Sequence, residues 1–123
     1  MVETVPMGFN GTLPEWLVYR ELTRLKVDFD FQSRQLGGRM ERGGLVLDFY
    51  IPSLSLGLSV MSEYWHYGNP EARMRDKAGR EALIAQGVNV VYIDESDLLR
   101  NARFYVQDAL KGIDHSRVSE GVF

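Results

Sequence analysis

An α/β sandwich around a small mixed sheet is the fold class this sequence predicts, and three observations predict it. Apolar residues recur at helical spacing in three separate segments. Four short runs beside them are apolar, aromatic or β-branched enough to be strands. Glycine, proline and asparagine stand at the joints between the two kinds of segment. In chain order the elements run helix, three strands, helix, strand, helix. A length of 123 residues suits one domain with a single core.

Residues 1–11 carry no periodic pattern and are expected to form an N-terminal arm, with the folded domain spanning 12–112 and a weakly patterned tail over 113–123. GTLPEWLVYRELTRLK reads as the first helix. Thr12 is its N-cap, Pro14 lies in its first turn, and Glu15 follows the cap by the three residues a capping box needs. Val18, Leu22 and Leu25 form its apolar stripe. VDFDFQ alternates apolar and polar residues as a half-buried strand does, and it leads into the Gly- and Arg-rich SRQLGGRMERGG. LVLDFYI and LGLSVMS are the two strands of a hairpin joined by PSLS. After the break at Asn69-Pro70, EARMRDKAGREALIAQ shows helical spacing at Met74, Ala78 and Ala82 and ends before Gly87. VNVVYID is a buried strand. SDLLRNARFYVQDALKG is the last helix, expected to start in earnest after Asn101 and to stop at Gly112.

Composition removes several classes of function. The chain has no cysteine, so disulfides, cysteine-based zinc sites and thiol nucleophiles are excluded; this fits a reducing compartment, and the cytoplasm is the expected location. Composition is ordinary for a globular domain, 45% hydrophobic and 25% charged, with no apolar run of membrane-spanning length and no leader-like start. A net charge of -3 argues against a blanket electrostatic grip on nucleic acid. Local patches remain: Arg34, Arg39 and Arg42 cluster among glycines, and Arg73, Arg75, Lys77 and Arg80 crowd the second helix. Each is either a phosphate contact or a solvated face. GGRMERGG lacks the Gly-Lys-Ser/Thr ending of a mononucleotide-binding loop, no Ser/His/Asp hydrolase elbow is present, and His115 has no metal-ligand spacing to another histidine.

Three residues stand out for chemistry. Asp48 interrupts an apolar strand, so its carboxylate needs a partner to offset desolvation, a metal ion among the candidates; the alternative is a half-exposed strand with Asp48 facing water. His66 follows Tyr64-Trp65 just past the next strand, where an imidazole can take a proton from water or serve as a packed structural residue. Glu15 either closes the capping box or uses its place on the face of Val18, Tyr19 and Leu22 to aim inward toward Asp48.

Taken in order, GTLPEW, GGLVLDFYIP, LSVMSEYWHYG and RDKAGREALIAQGVNVVYIDESDL resemble the very-short-patch-repair-like nucleases and their small relatives within the PD-(D/E)xK superfamily. The resemblance runs from about Thr12 to Gly112. It implies a restriction-endonuclease-like αβββαβα fold and hydrolysis of DNA phosphodiesters with Mg²⁺, or Mn²⁺ in its place. It implies Asp48 as metal-binding carboxylate, the main-chain carbonyl of Val60 as a further ligand, His66 beside the attacking water, and Glu15 toward the metal's water shell. Arg39, Arg42, Arg75 and Lys77 are the expected DNA contacts. The chain departs from the superfamily at Ser59 and Met61, which stand where glutamate and lysine are usual; Glu63 is the nearest other carboxylate.

Two functions are therefore weighed. One is a metal-dependent endonuclease acting on a nick, mismatch, branch or end. The other is a nuclease-fold protein without chemistry that serves as a binding or assembly module, for example in a phage particle. Order in an unpatterned arm and tail would require something to hold them, which leads to the expectation of a homo-oligomer or larger assembly.

Overall fold

The computed structural model describes residues 4–32, 47–62 and 70–116, with the backbone alone at 72, 73, 75 and 76 of the second helix. Helix α1 spans Leu13–Arg24, strand β1 Asp30–Phe31, β2 Phe49–Ile51, β3 Leu56–Met61, helix α2 Pro70–Ala85, β4 Asn89–Asp94 and α3 Glu95–Leu110. The sheet order is β1-β2-β3-β4. The first two pairings are antiparallel, and β3 with β4 is parallel, which makes the sheet mixed as expected.

Each face of the sheet carries its own core. Leu56 and Leu58 of β3 and Val91 and Ile93 of β4 face α1 and α3, meeting Leu17, Val18 and Leu22 on one helix and Leu98, Ala102, Val106 and Ala109 on the other. The alternate positions, Met61, Val90 and Tyr92, pack with Leu47, Val88 and Leu83 under α2. β3 is thus buried on both faces, which explains why LGLSVM is apolar without alternation. Gly57 is required by this packing: a Cβ there would lie 2.5 Å from Leu47 Cδ1 and 2.8 Å from Cδ2. Because Leu47 is itself fully buried, Gly57→Ala is expected to overpack the core and lower the unfolding free energy by about 1–3 kcal/mol in urea titration.

Several local expectations are corrected. The first strand is two residues long, not six, because the chain on either side is committed elsewhere. Lys26 takes a left-handed conformation (φ 58°) and the Val27 N–H returns to the Leu22 carbonyl (3.1 Å) to end α1, while Gln32 turns left-handed (φ 56°) just after Phe31. Leu25 is the C-cap of α1 rather than part of its buried stripe, which is Pro14, Leu17, Val18, Glu21 and Leu22. Among the described side chains of α2, Gly79 and Leu83 are the buried ones; Met74 and Ala78 are exposed. The last helix begins at Glu95, directly after β4, and breaks at Asn101 (φ −160°, ψ 76°). Asn101 Oδ1 then accepts from the Phe104 N–H at 3.2 Å and caps the second half, which is what its pattern registers.

Parts of the arm and the tail are tied down by the chain's own residues. Phe9 stacks on Phe31 (5.2 Å between centroids) and meets Trp16 and Tyr19 edge-on. In the tail, Asp114 Oδ2 accepts from the Tyr92 N–H on the free edge of β4 (2.9 Å), Ser116 Oγ donates to Asp94 Oδ1 (2.8 Å), and His115 Nε2 lies 2.8 Å from Asp108 Oδ2. These contacts within the chain hold the described parts of the arm and the tail. Among the described residues no helix is long and apolar enough to cross a membrane.

Candidate active site

The end of the sheet where β3 and β4 finish also holds the start of β2 and the last residue of β1, because β2 is antiparallel to its neighbours. Asp48 stands there, one residue before β2 and half-buried. By the ladder, the N–H of Val60 would pair with the backbone of the β2 chain. The chain bends at Asp48 instead, and the carboxylate takes that place: Asp48 Oδ2 accepts from the Val60 N–H at 2.7 Å. This is why the expected strand LVLDFYI is regular only from Phe49 in its described part. The bend is held from the other side by the Gln32 N–H, which donates to the Asp48 carbonyl at 2.6 Å. A left-handed non-glycine residue costs on the order of 1 kcal/mol, so Gln32 places local strain beside the one carboxylate that interrupts the strand.

The Val60 bond also orients a second oxygen. Within a strand the N–H and C=O of one residue point to the same side, so the Val60 carbonyl, like its N–H, faces the flank of β3 occupied by Asp48. The Cα pairing of Val60 with Ile93 is consistent, since in a parallel ladder the residues flanking one partner make the hydrogen bonds to the other. A carboxylate and a main-chain carbonyl thus adjoin on one edge. These are hard oxygen donors of the kind Mg²⁺ takes, one or two from protein with water and phosphate completing the shell.

Glu15 is at the same end of the domain but its carboxylate is engaged. Its Oε1 accepts from the Thr12 N–H (2.8 Å) and from Thr12 Oγ1 (3.1 Å), and the Glu15 N–H donates to Thr12 Oγ1 (3.3 Å), which completes the capping box. A Cβ on Gly11 would lie 2.9 Å from that oxygen and 3.2 Å from the Phe31 ring, so the carboxylate and the ring of the residue paired with Phe49 both border Gly11. Of the two uses open to Glu15, the cap is the one with bonds made. Glu15→Ala is expected to lower stability by about 1 kcal/mol, whereas Glu15→Gln, which can close the same box, leaves it nearly unchanged in thermal or urea unfolding.

The positions that depart from the superfamily pattern are both buried. Ser59 and Met61 are each 5% exposed on the α2 side of β3, and Met61 is part of the apolar cluster there. Lys77 is exposed on α2. His66, Glu63, Arg39 and Arg42, and the side chain of Arg75, lie outside the described residues. The structure therefore brings Asp48 and Val60 together and places Glu15 at the same sheet end. Among the described residues no three His, Asp or Glu side chains converge as a metal cluster.

Sequence reasoning passed over one feature of this end. Asp94, 4% exposed at the end of β4 beside Met61, holds the tail through Ser116; a carboxylate closing a largely apolar strand was the available signal. Ser59, singled out in the sequence only as a departure from the superfamily pattern, is a polar residue on a strand buried on both faces.

The fold defined by this sheet and its three helices is restriction-endonuclease-like. Among solved structures, the chain is similar to the catalytic domain of the homing endonuclease I-Bth0305I, with a TM-score of 0.60 and 20% sequence identity over 80% of this chain and 93% of that one. No protein-family model matches the chain, and no curated protein matches it.

Proposed function

We propose that this protein is a metal-dependent nuclease that hydrolyses phosphodiester bonds in DNA, allied to the very-short-patch-repair-like enzymes. The observation that carries the proposal is Asp48: its carboxylate is locked by the Val60 N–H at the end of the sheet, next to a carbonyl facing the same flank. A merely structural aspartate would be served as well by asparagine or by ordinary strand pairing. The similarity of fold to a homing endonuclease catalytic domain supports DNA as the substrate.

In this mechanism Asp48 and the Val60 carbonyl would hold Mg²⁺. When bound, the ion supplies polarisation of the scissile phosphate and a water of lowered pKa. Asp48 is kept in position by two backbone donors, Val60 N–H and Gln32 N–H, one on its side chain and one on its own carbonyl. The His66 imidazole would accept the proton lost by the attacking water, a contribution of about 10²–10⁴-fold for a general base. Glu15 would add negative charge to the water shell from the N-terminus of α1. Arg39, Arg42, Arg75 and Lys77 would hold the flanking phosphates, giving an affinity that falls with salt.

The test is cleavage of nicked, mismatched and branched duplexes by the purified protein in Mg²⁺ or Mn²⁺. At least one is expected to be cut, and cutting is expected to stop in chelator and in Asp48→Asn. Cutting that survives Asp48→Asn overturns the assignment. The burial of Met61 and Ser59 favours the second reading, a nuclease fold retained for assembly; absence of cutting with either metal, together with a solution mass above that of a monomer, is its expected signature.

A further inference from the structure

Ser59 is 5% exposed, yet its hydroxyl meets no hydrogen-bond partner among the described residues. Leaving a buried hydroxyl unpaired costs about 1–3 kcal/mol, and such exceptions call for a water, an ion or a catalytic use. Two features of the fold say which. First, Asp48 Oδ2 accepts from the Val60 N–H at 2.7 Å, and that nitrogen is bonded to the carbonyl carbon of Ser59, so the carboxylate lies within the reach of one water from the Ser59 side chain. Second, Leu47, the residue before Asp48, lies over Gly57, two residues before Ser59 on the same face. The chain around Asp48 thus folds over the part of β3 from which the hydroxyl projects.

We propose that the Ser59 hydroxyl holds a water in the hydration shell of the divalent cation bound at Asp48, which makes Ser59 a positioning residue of the site; this rests on the nuclease reading above. Where a carboxylate would bind the ion directly, the shorter serine reaches it through water. That suits Mg²⁺, which dehydrates reluctantly and keeps several waters. Groups that orient ligands from outside the inner set commonly change metal affinity by about 10–100-fold when removed.

Binding of Mn²⁺ to the folded protein, followed by electron paramagnetic resonance without DNA, reads this apart from catalysis. Ser59→Ala is expected to weaken Mn²⁺ binding about tenfold, Ser59→Thr, which keeps the hydroxyl on a strand-compatible side chain, to bind within about threefold of wild type, and Asp48→Asn to abolish binding. Ser59→Ala is also expected to melt no lower than wild type, because an unpaired hydroxyl is removed. If Ser59→Ala binds Mn²⁺ as wild type does while Asp48→Asn does not, the Ser59 proposal falls and the nuclease reading stands. If Asp48→Asn binds as wild type does, or wild type does not bind, both fall.

Discussion

Asp48→Ala is expected to abolish metal-supported cleavage and, separately, to lower the unfolding free energy by about 1.5–3 kcal/mol, the range for a hydrogen bond to a charged group. The stability loss follows from geometry. The carboxylate occupies the place of a strand carbonyl opposite the Val60 N–H at 2.7 Å, and a half-buried donor at the end of β3 would be left to water or to nothing. The activity loss follows from charge, because alanine removes the only carboxylate on that edge among the residues described in contact with Val60. Asp48→Asn separates the two effects. An amide oxygen can still accept from Val60, so this variant should regain much of the stability and none of the cleavage. Urea unfolding of the three proteins beside a cleavage assay makes the comparison, and equal loss of stability in both variants would show that the negative charge, not the hydrogen bond, holds the bend.

Phe49→Ala is expected to have the largest effect on folding, about 3–5 kcal/mol, enough to unfold a domain of ordinary stability at moderate temperature. Phe49 is fully buried. Its ring lies 5.0 Å from Phe31 and 5.8 Å from Phe29, and through them it joins the cluster of Phe9, Trp16 and Tyr19 that fastens the arm and α1 to the sheet. Its neighbour in sequence is Asp48. A cavity there would loosen the bend as well as the core, so any Phe49→Ala protein that remains folded should bind divalent metal more weakly, whereas Phe49→Leu should retain both properties in larger part. Chemical denaturation with Mn²⁺ titration would detect the coupling; unchanged metal affinity in a destabilised protein would show that the site does not depend on this packing.

Much of the architecture could be read from local chemistry. The α1 start was legible because Thr12, Pro14 and Glu15 form a code written within four residues, and the structure makes each bond of it. The order of strands and helices was legible from periodicity. Periodicity failed on α2, where Met74 and Ala78 suggested the buried side and, among the described side chains, Gly79 and Leu83 provide it. It failed on the first strand too, since a helix-ending turn at Lys26 and a left-handed Gln32 consume residues whose alternation looks extended. At the site, Asp48 was legible as a charge in an apolar run, but its partner was not, since nothing in LVLDFYI says that its side chain will stand in for a main-chain carbonyl and pair with Val60, twelve residues on.

Local order in this chain, the succession of elements, the cap of α1 and the absence of thiol chemistry, follows from residues that lie a few positions apart, and such short-range preferences survive in any context the chain adopts. The joining of Asp48 to Val60, the burial of the Ser59 hydroxyl and the fastening of Asp114 and Ser116 to the outer edge of β4 depend on register and on which side of a strand each backbone group faces. Those are set when β2, β3 and β4 come together, since a shift of one residue in pairing would turn every one of these groups to the opposite face.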